Sequence, residues 1–200
     1  MFIYSLKALS AIPEITHVAL NYPSGWRDVF VELLTDYGLS DRVRLIPAGK
    51  TRQDSVKKLL EATASDNNDS VILHEAARPL VSRAEFLELI DATSKNVSFG
   101  IEIPFTVLKL DSERKYIDEN LARDLLVNVQ LPQKYERSAL LAKHILAEKE
   151  GCYFTEDASL MHYYGEKVEF IPGRSHNIKV TNHADIEVVE AMMEKRNLFK

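Results

Sequence analysis

Short runs of β-branched and apolar residues alternate along this chain with longer stretches whose apolar residues recur at helical spacing. The predicted strands are residues 16–22, 42–46, 70–74, 97–104, 168–171 and 177–180, and the predicted helices are residues 1–12, 28–37, 55–64, 83–94, 136–150 and 184–196. Alternating strands and helices predict a doubly wound, mainly parallel sheet with helices on both faces. The length of 200 residues and the lack of a dividing linker predict a single α/β domain over residues 1–200.

Residues 105–132 interrupt this alternation. The segment is polar and irregular, with strand signals only around residues 107–109 and 125–127, and we interpret it as an arm that protrudes from the domain. It is too long for an ordinary connection, which runs about 4–6 residues. Such a segment can be disordered, fold back on its own domain or pack on another subunit. It carries more apolar residues than a solvated loop needs: Val107, Leu108, Leu110, Ile117, Leu121, Leu125, Leu126 and Val127.

Charge and cysteine usage disfavour several classes of protein. A formal net charge of -5 argues against a broad nucleic-acid surface, although a local cluster of Arg and Lys could still bind phosphates. No apolar run approaches the roughly 20 residues that span a bilayer, and the first residues lack the pattern of a secretory signal, so we expect no membrane segment. Cys152 is the only cysteine, which excludes an intrachain disulfide and predicts a cytoplasmic protein.

Three polar segments follow predicted strands, at the edge where open α/β sheets bind their ligands. In the first, residues 49–56, the backbone N–H groups of a helix start, together with Arg52 and Ser55, can grip an anionic ligand. The alternative, which this segment alone favours, is an N-capped helix with exposed charges.

The second segment places Glu75 just after a buried type of strand, where a carboxylate can hold Mg²⁺ beside a nucleotide phosphate. The small Ala76 lets a ligand approach the backbone, and Arg78 offers a planar fork for a phosphate. A local ion pair between Glu75 and Arg78 is the alternative.

In the third segment, Lys179 lies within a strand-like apolar frame, so it must reach the sheet edge or meet an anion. His176 and Cys152 have no partners at the spacing of a metal site or of a nucleophilic triad, and we expect neither residue to be functional.

Together and in this order, the three segments resemble the 2-C-methyl-D-erythritol 4-phosphate cytidylyltransferase family of sugar-phosphate nucleotidyltransferases. Residues 48–56 resemble its Gly-Gly-x-x-Arg-x-x-Ser-Val turn, residues 74–79 its His-Asp-Ala-Ala-Arg-Pro strand end, and residues 177–181 its Asn-Ile-Lys-hydrophobic-Thr segment. Residues 129–133 and 154–159 are similar to two further motifs, Gln-Thr-Pro-Gln and Thr-Asp-(Asp/Glu)-Ala-Ser. The resemblance runs over the whole chain and implies a Rossmann-like nucleotidyltransferase fold.

The resemblance also implies a reaction, in which CTP and a small polyol phosphate give a CDP-polyol and pyrophosphate. Gly49, Arg52 and Ser55 would contact the cytidine portion of CTP, with Ala76 beside the nucleotide. Glu75 would take the metal-associated acidic position, with Mg²⁺ as the cofactor.

On the substrate side, the resemblance implies that Arg78, Arg123 and Thr155 grip the phosphate of the sugar alcohol and that Lys179 also stabilises charge during attack on the α-phosphate. Family members use the segment equivalent to residues 105–132 as an arm that crosses a two-fold axis. A homodimer is therefore expected, in which Arg123 serves the active site of the neighbouring subunit.

Several positions depart from the family pattern. Glu75 stands where the family has Asp, Leu131 where it has a Thr that faces the sugar phosphate, and Ala48 where the turn has its first Gly. Residues 104–109 are one residue shorter than the family's equivalent and lack its Asp-Thr pair. Methylerythritol phosphate is the expected substrate, and ribitol 5-phosphate is the alternative.

The family opens with a first strand and a Gly-rich loop that wraps the triphosphate and supplies an Arg and a Lys, whereas Met1 matches the start of the helix after that loop. We therefore expect the two strands that flank the absent one to show unpaired edges and apolar faces, and the 200-residue form to have almost no turnover. Two explanations stay open: Met1 is internal to a longer protein, or the chain is a truncated, non-catalytic homologue.

Overall fold

The computed structural model describes residues 1–63 and 70–195. Its helices are α1 (Phe2–Ser10), α2 (Arg27–Asp36), α3 (Arg52–Ala62), α4 (Arg83–Asp91), α5 (Arg137–Glu150), α6 (Asp157–Tyr163) and α7 (His183–Lys195). Its strands are β1 (Val18–Tyr22), β2 (Val43–Pro47), β3 (Ser70–Leu73), β4 (Val97–Glu102), β5 (Val107–Leu110), β6 (Ile117–Leu121), β7 (Val127–Glu136) and β8 (Glu169–Pro172). Among the described residues, no helix is both long and apolar enough to cross a bilayer.

The strands form two blocks of an α/β sheet and one separate hairpin. β1 and β2 pair in parallel, and a second block has the order β3-β7-β4-β8. β7 is antiparallel to both β3 and β4, while β4 and β8 are parallel. Consequently β3, β4 and β8 run in one direction and β7 is the exception, because the chain returns through it from the arm.

An open slot separates the two blocks. Within the described residues, β1 pairs only with β2 and β3 pairs only with β7, so each strand has one unpaired edge. A cleft of about 1020 Å³ lies between them and is lined by apolar residues of both strands, including Leu20 and Ile72. The expectation of two strands with unpaired edges and apolar faces is thus confirmed.

Buried apolar clusters fix the helices against the sheet on either side of this slot. Leu60 of α3, Leu73 of β3 and Leu140 of α5 belong to one cluster, which also holds the fully buried ring of Tyr135. A second cluster joins α1, α2 and β2. Because α3 packs against both β1 and α5, its N-terminus is held rigidly at the edge of the cleft.

The arm is shorter than predicted from the sequence. Residues 105–126 leave the sheet, and they contain the antiparallel hairpin of β5 and β6 followed by a single 3-10 turn at Arg123–Leu125. Residues 127–132, predicted as part of the arm, instead belong to β7, since Val127 pairs with Glu102 and Gln130 with Phe99 of β4. This strand was missed because it carries polar residues, which in a sequence usually indicate a loop. In the structure these residues are buried and have hydrogen-bond partners; the amide of Gln130, for example, donates to two backbone carbonyls.

One other prediction of regular structure was wrong, and one helix was not predicted. Residues 177–180 are not a strand, because their polar groups bind side chains and loop backbone instead of a neighbouring strand; the N–H of Val180, for example, donates to the carbonyl of Ala77. Helix α6, at Asp157–Tyr163, was not predicted, since seven residues give too short a periodic signal. Of the predicted helix ends, residues 64 and 196 lie outside the described residues.

Candidate functional site

The carboxyl end of β3 brings three charged side chains together. An Oε1 oxygen of Glu75 accepts a hydrogen bond from Nζ of Lys179 at 2.8 Å, and its Oε2 accepts one from Nε of Arg78 at 3.1 Å. The sequence separation between Glu75 and Lys179 is large, so folding alone creates this group. The ion pair between Glu75 and Arg78 is therefore present, and so are the residues of an anion site.

The cations keep the Glu75 carboxylate ionised. Burial on its own would raise the pKa of Glu75, but the hydrogen bond and charge of Lys179, together with Arg78, outweigh burial and lower the pKa below its usual value. Arg78 is buried, whereas the Lys179 side chain is 43% exposed. An incoming phosphate can therefore reach Lys179 without the core having to open.

Loop segment 176–181, which carries Lys179, is fastened by buried amide groups. Nδ2 of Asn177 donates to Oε1 of Glu85 at 2.7 Å and to the carbonyl of Leu131 at 2.9 Å. The carbonyl of Asn177 accepts in turn from Nη1 of Arg78 at 2.9 Å. Glu85 is almost fully buried and also caps α4, so the loop is tied to the core without being a strand.

The start of α3 forms the second part of the site. Thr51 is its N-cap, and the side chain accepts from the N–H of Asp54 at 3.1 Å. The N–H of Gly49 donates to Oγ of Ser55 at 2.9 Å, and a Cβ atom at Gly49 would collide with the Asp54 carboxylate. The capped helix that the sequence left as the alternative is present, and its first turn carries Arg52 into the cleft.

Arg52, Ser55, Glu75 and Ala76 all line the cleft between β1 and β3. They meet there because α3 begins, and β3 ends, at the same edge of the sheet. The charge of Glu75 also contributes to the raised pKa of Arg52, in which burial is outweighed by Asp157, Glu156 and Glu75. Four residues predicted from two separate segments thus share one surface.

Hydrogen bonds tie residues 152–154, which precede Thr155, to the first turn of α3. The N–H of Phe154 donates to Oε1 of Gln53 at 2.7 Å, and Nε2 of Gln53 donates to the carbonyl of Cys152 at 3.1 Å. The loop that carries Thr155 is therefore attached to the first turn of α3. Gln53 was not identified from the sequence, because nothing in a lone helical glutamine indicates a partner about a hundred residues away.

Arg123 does not join the other predicted site residues within the chain. It lies on the arm, where its Nη1 donates to the carbonyl of Pro104 at 2.7 Å and its Nε is 3.8 Å from Asp124.

The sequence also did not identify Asp157, His144 and Gln133 as a buried polar group behind the site.

His176 contacts Glu85 at 3.3 Å, and the described residues contain no group of three or more metal-ligating side chains.

His74 forms the rear wall of the site. Its Nε2 is 3.1 Å from Oγ of Ser5, which donates to the carbonyl of Arg78 at 3.4 Å, and its Nδ1 is buried without a partner among the described residues. Burial lowers the pKa of His74 to about 4. The ring is therefore neutral at pH 7, with Nε2 as the donor to Ser5.

A neutral His74 makes the fold sensitive to mild acid. The pKa is lower in the folded chain than its ordinary value of 6.5, so between pH 6.5 and about 4 the unfolded chain binds more protons. The free energy of unfolding is expected to fall in this window as pH decreases, by about 2–3 kcal/mol from this group. Urea unfolding at pH 7 and pH 4.5 measures the difference, and His74→Gln should reduce it. His17 is exposed, so His17→Gln serves as the control and should leave the difference between the two pH values unchanged. If His74→Gln also left this difference unchanged, the assignment of a buried, neutral His74 would be contradicted.

Comparisons with a family model and with known proteins match this chain to one family. The model of the family described as 2-C-methyl-D-erythritol 4-phosphate cytidylyltransferase matches residues 1–195. Relatives with that name include one from Aquifex aeolicus, 36% identical over 96% of this chain and 84% of its own, and one from Desulforamulus reducens, 30% identical over 98% and 84%.

Solved structures agree with the sequence relatives. The crystal structure of 4-diphosphocytidyl-2C-methyl-D-erythritol synthase from Anaerococcus prevotii superposes with a TM-score of 0.86 at 25% identity, over 96% of this chain and 85% of that one. That of 2-C-methyl-D-erythritol 4-phosphate cytidylyltransferase from Thermus thermophilus gives 0.78 at 26% identity, over 96% and 87%. The α/β fold predicted from the alternation of elements is thus confirmed.

Proposed function

The chain belongs to the 2-C-methyl-D-erythritol 4-phosphate cytidylyltransferase family, and we propose that the group around Glu75 and Arg52 is where it transfers CMP from CTP to that sugar-alcohol phosphate. The family acts in isoprenoid precursor synthesis. The family match favours methylerythritol phosphate over ribitol 5-phosphate as the substrate.

The observation that carries this proposal is that Lys179 and Arg78 both pair with Glu75 at the carboxyl end of β3, while Arg52 lines the same cleft. In the reaction, a phosphate oxygen of the polyol phosphate attacks the α-phosphorus of CTP. A new P–O bond forms there, the bond to the bridging oxygen of the β-phosphate breaks, and pyrophosphate leaves with the electron pair. Such in-line transfer needs positioning and charge neutralisation and no covalent help from the protein.

Each cationic residue has a separate part in this scheme. The exposed Lys179 can leave Glu75 for a phosphate oxygen and stabilise the charge that builds up on the α-phosphate. Arg78 is buried and held by Glu75 and Asn177, so it would act on the polyol phosphate chiefly as a fixed positive charge at the base of the site. Arg52 and Ser55 line the cleft and would contact the cytidine portion of CTP together with Gly49, whose N–H bonds to Ser55, while Thr155 lies on the adjoining loop.

The carboxylate of Glu75 suits a Mg²⁺ ion whose other ligands come from a nucleotide. The described residues hold no group of three carboxylate, His or Cys side chains, so they do not form a protein cage for a metal. In nucleotide sites Mg²⁺ is usually held by one or two carboxylates plus phosphates, and Glu75 provides such a carboxylate. Bound there, the ion would neutralise phosphate charge, and Glu75 would be its protein ligand.

The proposal includes a homodimer formed through the arm, here residues 105–126. Several large apolar side chains of the arm are exposed in the single chain, among them Phe105 at 77% and Leu125 at 84%. An isologous contact would bury these side chains on both subunits and carry Arg123 to the partner's site. The single cysteine supports a cytoplasmic location, since the chain has no intrachain disulfide.

Nucleotide binding provides a direct test of this assignment. CTP is expected to bind more tightly than ATP, GTP or UTP, and Arg52→Ala is expected to raise the Kd for CTP about tenfold, the effect of losing one charge-assisted hydrogen bond. Isothermal titration calorimetry measures both. The exposed Arg27 on α2 is the matched control, since it lies on another helix, and Arg27→Ala should not change the Kd. Equal affinity for all four nucleotides would contradict the site.

A further inference from the structure

A buried chain of hydrogen bonds runs from the middle of α5 to the first turn of α3. Nε2 of His144 lies 3.0 Å from Oδ1 of Asp157, and Nη2 of Arg52 donates to Oδ2 of the same carboxylate at 2.6 Å. The side chains of His144 and Asp157 are each 1% exposed, whereas that of Arg52 is 29% exposed and lines the cleft. The chain therefore leads from the core to the candidate site.

The two partners of Asp157 keep its carboxylate ionised despite its burial. Burial would raise the pKa of Asp157, but the hydrogen bond of His144 and the charge of Arg52 outweigh burial and lower it. An ionised carboxylate only accepts hydrogen bonds, so Nε2 of His144 is the donor. Its Nδ1 has no partner among the described residues, and His144 thus makes its side-chain hydrogen bond to Asp157 alone.

We propose that His144 is a positioning residue for the nucleotide site, which acts through Asp157 to fix the direction of the Arg52 guanidinium. This inference rests on the proposed function, because it requires Arg52 to contact the nucleotide.

The pair formed by Arg52 and Asp157 uses only one oxygen of the carboxylate. A guanidinium and a carboxylate tend to form a two-pronged pair, in which both oxygens are used. Here Nε2 of His144 bonds to Oδ1 and Arg52 bonds to Oδ2 alone, so the carboxylate is held from both sides. The other N–H donors of Arg52 stay available for a ligand in the cleft. Without the His144 hydrogen bond, the Asp157 carboxylate can rotate, and the Arg52 guanidinium can turn with it and aim those donors away from the cleft.

The backbone near Arg52 is fixed independently of His144. Gln53 is bonded on both sides to residues 152–154, and Thr51 caps the helix. Removing the His144 side chain therefore leaves the start of α3 in place and changes chiefly the orientation of the guanidinium. This separates positioning from a general loss of structure.

Three variants of residues 1–200 test the inference by calorimetric titration with CTP. His144→Leu removes the donor and is expected to raise the Kd about tenfold, as for the loss of a hydrogen bond to a charged group. His144→Gln keeps an amide N–H near the position of Nε2 and should restore the Kd to within about twofold of the parent. Leu140→Ala is the control, because Leu140 is buried one turn earlier on α5 and its loss lowers stability without touching Asp157. Its Kd for CTP should not change at a temperature where all the variants are folded.

Each outcome decides between the inference and the function on which it rests. If Arg52→Ala leaves the Kd unchanged, the proposed nucleotide site itself is wrong. If Arg52→Ala weakens binding and His144→Leu does not, the positioning role is wrong and the site stands. The positioning role is also overturned if Leu140→Ala weakens CTP as much as His144→Leu, or if His144→Gln fails to restore binding.

Discussion

Replacing Lys179 by alanine is expected to lower kcat by about 10²–10³-fold and to change KM far less, as expected when a group acts mainly on transition-state charge. The reason is its place in the site: the ammonium group is 2.8 Å from Glu75, on a side chain that is 43% exposed at the carboxyl end of β3. Arg78 still pairs with Glu75 in the variant, so the buried carboxylate keeps a partner and the fold should be retained.

Steady-state kinetics of Lys179→Ala are best measured on the loop-bearing chain, by which we mean residues 1–200 joined to the first strand and Gly-rich loop of a family member. That loop supplies further groups that hold the triphosphate. Lys95→Ala is the matched control, because Lys95 is exposed at the amino end of β4 and pairs with Glu136. An unchanged kcat in Lys179→Ala would mean that this lysine only balances the charge of Glu75.

The second large effect is expected from the arm. Deleting residues 111–125 removes β6 and the exposed Leu125, and it should give monomers that no longer bind the polyol phosphate. A milder change, Leu125→Asp, places a charge in the same proposed contact and leaves the hairpin intact. Val188→Asp, at an exposed valine on α7, is its control. Analytical ultracentrifugation at micromolar concentration separates monomer from dimer, and a parent chain that sediments as a monomer would refute the dimer.

Mixing inactive subunits shows which chain Arg123 serves. Arg123→Ala and Lys179→Ala should each have very little activity alone in the loop-bearing chain. If Arg123 completes the partner's site, each heterodimer has one intact site, and random mixing should restore about a quarter of the parent activity. If Arg123 serves its own chain, both sites in the heterodimer are damaged and mixing restores nothing. The latter result would leave the arm as a contact surface only.

Local patterns predicted most of the elements that position the site. The run 70–74 and the capped start of α3 carry their signals in neighbouring residues, and the structure has β3 at Ser70–Leu73 and α3 at Arg52–Ala62. Residues 127–132 were assigned to the arm because β7 has polar residues at buried positions. Gln130 and Gln133 are buried there, and their amides bind loop carbonyls and side chains that lie far away in sequence.

In the candidate site too, some residues can be identified from their sequence neighbours and others only from the fold. Motif residues such as Arg52, Glu75 and Lys179 were identified because their neighbours in sequence complete recognisable segments. His144 has no such neighbours, and its partner Asp157 is found only through the packing of α5 on α6. A lone histidine in an amphipathic helix indicates no partner, so the residues behind a site stay invisible until the fold brings them together.

Product analysis tests most directly whether this chain's site transfers CMP to methylerythritol phosphate. The loop-bearing chain is incubated with CTP, Mg²⁺ and either 2-C-methyl-D-erythritol 4-phosphate or ribitol 5-phosphate, and the products are identified by mass spectrometry. We expect 4-diphosphocytidyl-2-C-methyl-D-erythritol and equimolar pyrophosphate from the first substrate, with both products formed about 10²–10³-fold more slowly by Lys179→Ala. CDP-ribitol as the preferred product, or product formation that persists unchanged in Lys179→Ala, would contradict the account.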